Sequence, residues 1–441
     1  MSGGDTIFAL ASAHGQAGLG VIRISGPDAL DCLTAMVSRE TFTAKPRHAH
    51  FVKLQTPDGK PLDEGIALYF SGPNSYTGED TVELMLHGSR AVQKRVFEVL
   101  SARNNVRMAE AGEFTKRAFM NGRLDLTEAE AVADLIHAET EAQRILALNQ
   151  LGGSLHTLYG EWTQTLARAL AHQEAEIEFP DEDMPDGLDA TSAAAAKTLL
   201  EEISRHLDDN ARGERLRDGL RIVIFGAPNA GKSSLLNWLA GRDAAIVTDI
   251  PGTTRDIVEV HLNLSGYPVI VTDTAGLRGD HADVVEAEGI RRATAAVQNA
   301  DIKIALYDIN SGLAEDTQAL IDQDTCIVAN KTDCTTQQAP SSHFAVSVQD
   351  SQGLDGLLEH LSLRVRDFFD HAENTTVLTR ERHRTHLSSA CESLNRALNA
   401  PLPELAAEDM RQALLSLGRI TGHVDVEALL DIVFRDFCIG K

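Results

Sequence analysis

Residues 221–239 read RIVIFGAPNAGKSSLLNWL: a short apolar run, a loop bounded by two glycines and closed by Lys-Ser, then a helix-forming segment. No other stretch limits the fold as much, because a strand must enter the loop and a helix must leave it, as in a phosphate-binding loop. Ile222, Val223, Ile224 and Phe225 suit a buried strand. Gly226 and Gly231 let the loop turn its backbone N–H groups toward a β/γ-phosphate, within reach of Lys232 and with the Ser233 hydroxyl placed for Mg²⁺. Asn229, Ala230, Gly231, Lys232, Ser233 and Ser234 are the candidate nucleotide contacts of this loop.

A chain of 441 residues is too long for one core and implies about three domains. It carries 40 basic and 65 acidic residues, a formal charge of −25. That balance argues against broad electrostatic binding to nucleic acid by this chain alone, so an RNA partner needs a local patch or another subunit. Five cysteines with no Cys-x-x-Cys pair make neither a disulfide framework nor a zinc site, which predicts a reducing compartment. The N-terminus MSGGDTIFAL resembles no signal or transit segment, and no apolar run approaches membrane-spanning length. The expected location is the cytoplasm.

The pattern from Thr6 to about Ala118 is mixed α/β, with strands predicted at 21–25, 65–70 and 81–88 and a helix at 89–100. GPNSYTGED, 72–80, has the composition of an ordered loop, and Gly15, Gly18 and Gly20 read as a turn ahead of a strand rather than a dinucleotide fingerprint. Beyond Asn121 the pattern is helical. Thr127 and Glu130 predict a capping box, and Val132, Leu135, Ile136, Ala142 and Leu146 predict one face of a single long helix. The acidic run Asp181, Glu182, Asp183, Asp186 and Asp189 reads as a solvated turn, since its spacing fits no calcium loop. A further helix from about Ser192 to Asn210 is expected to end in the charged segment ARGERLRDG. From Leu220 to about Asp370 strands and helices alternate, which predicts a doubly wound parallel sheet, and from Val377 onward the pattern is helical again. The expected boundaries are 1–119 for an N-terminal α+β domain, 120–216 and 373–441 for one discontinuous helical domain, and 217–372 for an α/β nucleotide domain inserted within it.

Further motifs follow the phosphate loop in the order a GTPase requires. In TDIPGTTRD, 248–256, Thr254 is the candidate for Mg²⁺ when a γ-phosphate is present. DTAG, 273–276, supplies Asp273 to the metal's water shell, Thr274 and Ala275 to the loop, and the Gly276 N–H to the γ-phosphate. NKTD, 330–333, supplies Asn330 as loop support, Lys331 as a further nucleotide contact, and the Asp333 carboxylate for guanine N1–H and the exocyclic amine, a donor pair that adenine lacks. Ser347, Val348 and Gln349 take the position of the last base-contacting loop. After Gly276, where Ras-like enzymes place a water-orienting glutamine, stands Leu277, so catalysis must use another group. Asn229 is one candidate, either as ligand of a monovalent cation beside the phosphates or as a stabiliser of the loop. Asp283, Glu286 and Glu288 are others, of which at most one orients water.

With RISG at 23–26, GPNSYTGEDTVEL at 72–84, GEFTKRAF at 112–119, LDLTEAEAVADLI at 124–136, GAPNAGKSSLLN at 226–237, GTTRD at 252–256 and the terminal FCIGK, the chain resembles the MnmE (TrmE) family of tRNA modification GTPases. The resemblance spans essentially the whole chain. It implies a Ras-like G domain, a homodimer built through folate-binding-like N-terminal domains, and a tetrahydrofolate derivative as one-carbon carrier. It also implies an FAD-dependent partner, MnmG or GidA, with which the wobble uridine of certain tRNAs receives an aminomethyl or carboxymethylaminomethyl group. Folate contacts implied by the match fall on Arg23, Glu83, Arg123, which replaces the lysine of some members, and Lys441. Potassium is implied at Asn229, Thr248, Ile250 and Thr253, and Mg²⁺ at Ser233 and Thr254. The family's catalytic glutamate matches Glu286, which with Lys232 and Asn229 completes the expected catalytic set. Cys438 is fourth from the end as in a prenylation box, but Gly440 and Lys441 break that pattern and no membrane anchor is expected. Near the folate site or as a buried thiol, its role stays open. The rival readings are a regulatory GTPase of ribosome assembly, which would normally add a basic RNA-binding module, and a folate-binding scaffold with vestigial GTPase activity.

Overall fold

The computed structural model describes residues 4–13, 15–37, 42–178, 188–209, 211–241, 259–274, 291, 293–370, 376–422, 424 and 440. The chain forms two compact units, residues 1–133, 151–160 and 417–441 in one and residues 134–150 and 161–416 in the other.

In the first unit the strands β1 (Thr6–Leu10), β2 (Ala17–Ser25), β3 (His50–Gln55), β4 (Pro61–Phe70), β5 (Thr81–Gly88) and β6 (Val106–Met108) form one sheet in the order β3-β4-β5-β2-β1-β6. Only β1 and β6 pair in parallel. Alternation splits β1 between two cores: Phe8 and Leu10 join Ile22, Ile24, Leu84 and Leu86 on one face, while Ile7 and Ala9 meet Ala109 and Phe114 on the other. Ser89 caps the helix Arg90–Ser101 by accepting from Val92 N–H. Gly18 and Gly20, expected in a turn, lie inside β2, where a Cβ on Gly20 would come within 3.3 Å of Gly88 Cα on β5. Close strand approach, not turning, is what that glycine serves.

In the second unit β7 (Leu220–Phe225), β8 (Glu259–Leu264), β9 (Tyr267–Asp273), β10 (Ile302–Asp308), β11 (Cys326–Asn330) and β12 (Phe344–Ala345) form a sheet ordered β12-β11-β10-β7-β9-β8. Ile222 and Ile224 pack with Leu235, Leu239, Leu357 and Leu361, whereas Val223 and Phe225 pack with Val297 and Ala305. Burial on both faces explains why the β7 sequence is an unbroken apolar run. The sheet is not wholly parallel: β8 pairs with β9 in antiparallel register through a turn at Ser265 and Gly266. Its alternating exposure on the sheet edge hid it from a search for buried runs.

The single long helix expected after Asn121 is two, Leu126–His137 and Glu141–Leu151. Thr127 is not the cap. Asp125 Oδ1 accepts from Glu128 N–H at 2.8 Å and Asp125 N–H donates to Glu128 Oε2 at 2.8 Å, a reciprocal box two residues earlier that leaves Thr127 inside the first turn. Thr140 and Gln143 form a second such box at 3.3 and 3.1 Å and restart the chain as a new helix. Ile136, assigned to the apolar face, is 43% exposed. The charged segment after the helix Leu188–Leu207 is itself a short helix, Arg212–Asp218. The Arg384 guanidinium, on the helix Glu381–Leu398, meets Asp209 at 2.7 Å and Glu214 at 3.1 Å, tying these segments together. The acidic run at 181–186 lies outside the described residues. Among the described residues no helix is long and apolar enough to cross a membrane.

Candidate functional site

The phosphate loop connects β7 to the helix Lys232–Ala240. Both bounding glycines have positive φ, +150° at Gly226 and +100° at Gly231. A Cβ on Gly226 would lie 2.0 Å from Leu306 O, and one on Gly231 would lie 2.3 Å from Asn330 Nδ2, so neither position admits a side chain. Asn229, exposed at the turn of the loop, has φ +62°, a conformation asparagine tolerates better than most residues. Lys232 is buried and its Nζ donates to Gly226 O and Ala227 O, each at 3.0 Å. The ammonium is thus folded back along the loop that the phosphates would line.

Register brings the metal-binding candidates together. β7 and β9 run parallel with Ile224 opposite Asp273, so Asp273 ends its strand at the same end of the sheet as the loop. Ser233 Oγ donates to Asp273 Oδ2 at 2.6 Å. A hydroxyl and a carboxylate at that separation are hard oxygen donors of the kind Mg²⁺ takes, and the pair fits such an ion. Thr274 is buried beside Asp273.

The base-reading candidates are tied to the same loop. Asn330, 3% exposed at the end of β11, donates through Nδ2 to Ala230 O at 2.9 Å and accepts from Val348 N–H at 3.2 Å. One side chain therefore couples the phosphate loop, the Asn330–Asp333 segment and the Ser347–Gln349 loop. Lys331 sits at φ +65° with Nζ 2.9 Å from Asp308 Oδ2. Asp333 is exposed; Cys334 Sγ donates to its Oδ2 at 3.0 Å and Ser347 Oγ to its Oδ1 at 2.6 Å, and these bonds hold its carboxyl below the usual carboxylate range. Val348 is half-buried against the apolar core, while Gln349 and Ser234 are exposed.

Thr248, Ile250, Thr253, Thr254, Ala275, Gly276, Leu277, Asp283, Glu286, Glu288, Cys438 and Lys441 lie outside the described residues. Asn229 is accordingly the only described member of the expected potassium set; its amide oxygen is a neutral hard donor suited to such an ion. Sequence reasoning passed over Asp308 and Cys334, which belong to no recurrent motif. The remaining signal was their position, one ending a strand beside β11 and the other directly following Asp333.

A second cluster lies on the sheet of the first unit. Arg23 on β2 and Glu83 on β5 are register partners. Arg23 Nε and Nη2 each approach Glu83 Oε1 at 2.9 Å, with side chains only 16% and 17% exposed. The guanidinium also lies 5.1 Å from the Tyr76 ring centroid and 5.7 Å from that of Phe114. Tyr76 belongs to the 72–80 loop, and its hydroxyl, pushed up by burial, pairs with Thr115 Oγ1 at 2.8 Å. That loop is pinned by Ser25 Oγ donating to Glu79 Oε2 at 2.8 Å, by Arg117 donating to Glu79 at 3.2 Å, and by Asn121 Nδ2 donating to Thr77 O at 2.7 Å. A Cβ on Gly78, φ +80°, would come within 3.2 Å of Arg123 Cγ, which places exposed Arg123 against the same loop. Gly440, the neighbour of Lys441, lies so close to Leu10 at the end of β1 that a Cβ there would be 2.0 Å from Leu10 O. An arginine and a carboxylate on neighbouring strands, flanked by Tyr76 of the 72–80 loop and Phe114 of a later helix, fit a heterocycle with both donors and acceptors, as a pterin has.

A family described as "GTP-binding protein TrmE N-terminus" matches residues 6–123, and one described as "MnmE helical domain" matches residues 126–438. A tRNA modification GTPase MnmE of Rhodospirillum rubrum is 47% identical over 457 residues, covering 99% of this chain and 99% of the relative. Proteins of the same name from Paramagnetospirillum magneticum and Parvibaculum lavamentivorans are each 48% identical, covering 99% of this chain and 100% of the relative.

Proposed function

Because this chain belongs to the tRNA modification GTPase MnmE family, and is a GTP hydrolase acting in tRNA modification, we propose that potassium activates its turnover and that it works on the wobble uridine. In this reading the protein is cytoplasmic and homodimeric. Residues 1–119 dimerise and bind a tetrahydrofolate derivative, 217–372 hydrolyse GTP, and 120–216 with 373–441 form the helical domain. An MnmG/GidA-like flavoprotein supplies FAD, tRNA is engaged mainly through the complex, and the product carries an aminomethyl or carboxymethylaminomethyl group.

The observation that carries the nucleotide reading is the Asn330 bridge, which joins the phosphate loop to the loops bearing Asp333 and Ser347. Asp333 accepts guanine N1–H and its 2-amino group; adenine offers that carboxylate no donor and turns the N1 lone pair toward it, which penalises ATP. Lys232 swings from Gly226 O and Ala227 O onto the phosphates and offsets the charge that develops there. Ser233 and Thr254 hold Mg²⁺, with Asp273 beside them, and Asn229, Thr248, Ile250 and Thr253 hold K⁺. The two cations neutralise phosphate charge when bound. Glu286 orients the attacking water in place of the glutamine that Leu277 displaces. On the other unit, Arg23, Glu83, Arg123 and Lys441 bind the folate, which brings a one-carbon unit.

The test compares GTP turnover in potassium and sodium chloride. Potassium should raise the rate at least about tenfold, and Asn229→Ala should abolish the difference. Equal rates in the two salts would remove the cation. Nucleoside analysis of tRNA from cells lacking the protein tests the modification, and an unchanged wobble-uridine profile would sink it.

A further inference from the structure

The Asp333 carboxylate carries one side-chain donor on each oxygen, and the two donors differ. Ser347 is fully buried, and its Oγ, which donates to Oδ1 at 2.6 Å, also accepts from Asp350 N–H at 3.1 Å, so the following loop fixes it. Cys334 is exposed and ends the 3₁₀ turn Thr332–Cys334; its own N–H donates to Lys331 O at 3.1 Å while its thiol reaches Oδ2 at 3.0 Å. The torsion that sets an aspartate's carboxylate plane is soft, so a single anchor on Oδ1 leaves Oδ2 free to swing. A second donor on Oδ2 removes that freedom. Each carboxylate oxygen has room for two donors, so the thiol and an incoming N–H can share Oδ2.

We propose that Cys334 is a positioning residue for guanine recognition, holding Asp333 Oδ2 in place for the exocyclic 2-amino group of the base. The proposal rests on the reading of Asp333 as the guanine-binding carboxylate. A thiol can do this because orienting the oxygen needs only one donor within reach, and a weak one is enough while the oxygen keeps room for the incoming N–H. Its hydrogen bond to Asp333 also pushes the Cys334 thiol above its usual value, so the donor proton stays in place at neutral pH. An alanine here has nothing to donate, while a serine retains a donor of similar reach.

Inosine diphosphate lacks only the 2-amino group and therefore separates orientation of Oδ2 from general support of the loop. Binding of GDP and IDP to the full-length protein is measured by calorimetry for the parent, Cys334→Ala and Cys334→Ser. Cys334→Ala should weaken GDP about threefold and leave IDP unchanged, so that the preference for GDP over IDP falls about threefold, and Cys334→Ser should restore it. An equal loss for both nucleotides, no change for either, or failure of the serine to restore the preference each overturns the proposal. Asp333→Asn tests the underlying reading separately: if that variant still prefers GDP to ADP as strongly as the parent, Asp333 does not read the base at all.

Discussion

The two sites are built on opposite plans. In the nucleotide site nearly every functional atom is carried by a loop at the end of a strand, and Asn330 links those loops through backbone atoms of Ala230 and Val348. In the first unit the candidate pair is carried by the strands themselves, with Arg23 and Glu83 opposed across β2 and β5, and a partly exposed ion network adjoins the 72–80 loop. There Arg117, 15% exposed, meets Asp5, Glu79 and Glu113, and Arg107 adds a second contact to Glu113 at 2.6 Å. Loop-borne sites can rearrange around phosphates that arrive and leave. A strand-borne site is preorganised and depends on the integrity of its sheet.

If that contrast holds, single changes in the first site should remove chemistry while leaving the fold, and changes behind the second should act through the fold. Ser233→Ala or Asp273→Asn should lower GTP turnover about a thousandfold, read as phosphate release, with little change in thermal unfolding. Loss of folding in either variant would break the comparison. Arg117→Ala removes the cation beside Glu79 while Glu113 keeps Arg107, and should destabilise the first unit by about 2 kcal/mol. Hydrogen exchange at β2 and β5 in the full chain reads that loss, and GTP turnover should hardly move.

Arg23→Lys keeps the charge but loses the planar fork beside Glu83 and the stacking on Tyr76, and should weaken binding of a reduced folate about tenfold. Calorimetry with 5-formyltetrahydrofolate checks it; unchanged binding would move the folate site elsewhere. The smallest effect expected is on pH. Burial alone would raise the Glu113 carboxyl, but hydrogen bonds from Arg107, Glu110 N–H and Arg117 outweigh burial and hold it below its ordinary 4.5. A depressed carboxyl contributes stability that is complete above the unfolded value and is lost as pH falls through the folded one. Exchange protection of β2 and β5 should therefore weaken below about pH 4.5. Asp333 is exposed, so its own depressed carboxyl should make acid weaken GDP binding rather than the fold.

The described loops of the candidate nucleotide site, 226–233 and 330–333, could be read from the sequence because each is contiguous: a loop's conformation and the groups it presents are set by residues a few positions apart, and strand runs such as Ile222–Phe225 announce where the loops begin. Helix content was equally legible, but boundaries were not. The Thr127–Glu130 and Asp125–Glu128 spacings are identical in type, and burial of Thr127 selects the second. β8 escaped because an edge strand buries only part of its surface, so its pattern is weak. What tertiary structure alone decided was every long-range pairing. Arg23 meets Glu83 60 positions away through strand register, and Asn330 meets Ala230 100 positions away. Local sequence determines what a segment can present. Which groups then share a hydrogen bond depends on packing that brings distant segments within about 3 Å, and no periodicity along the chain encodes that distance.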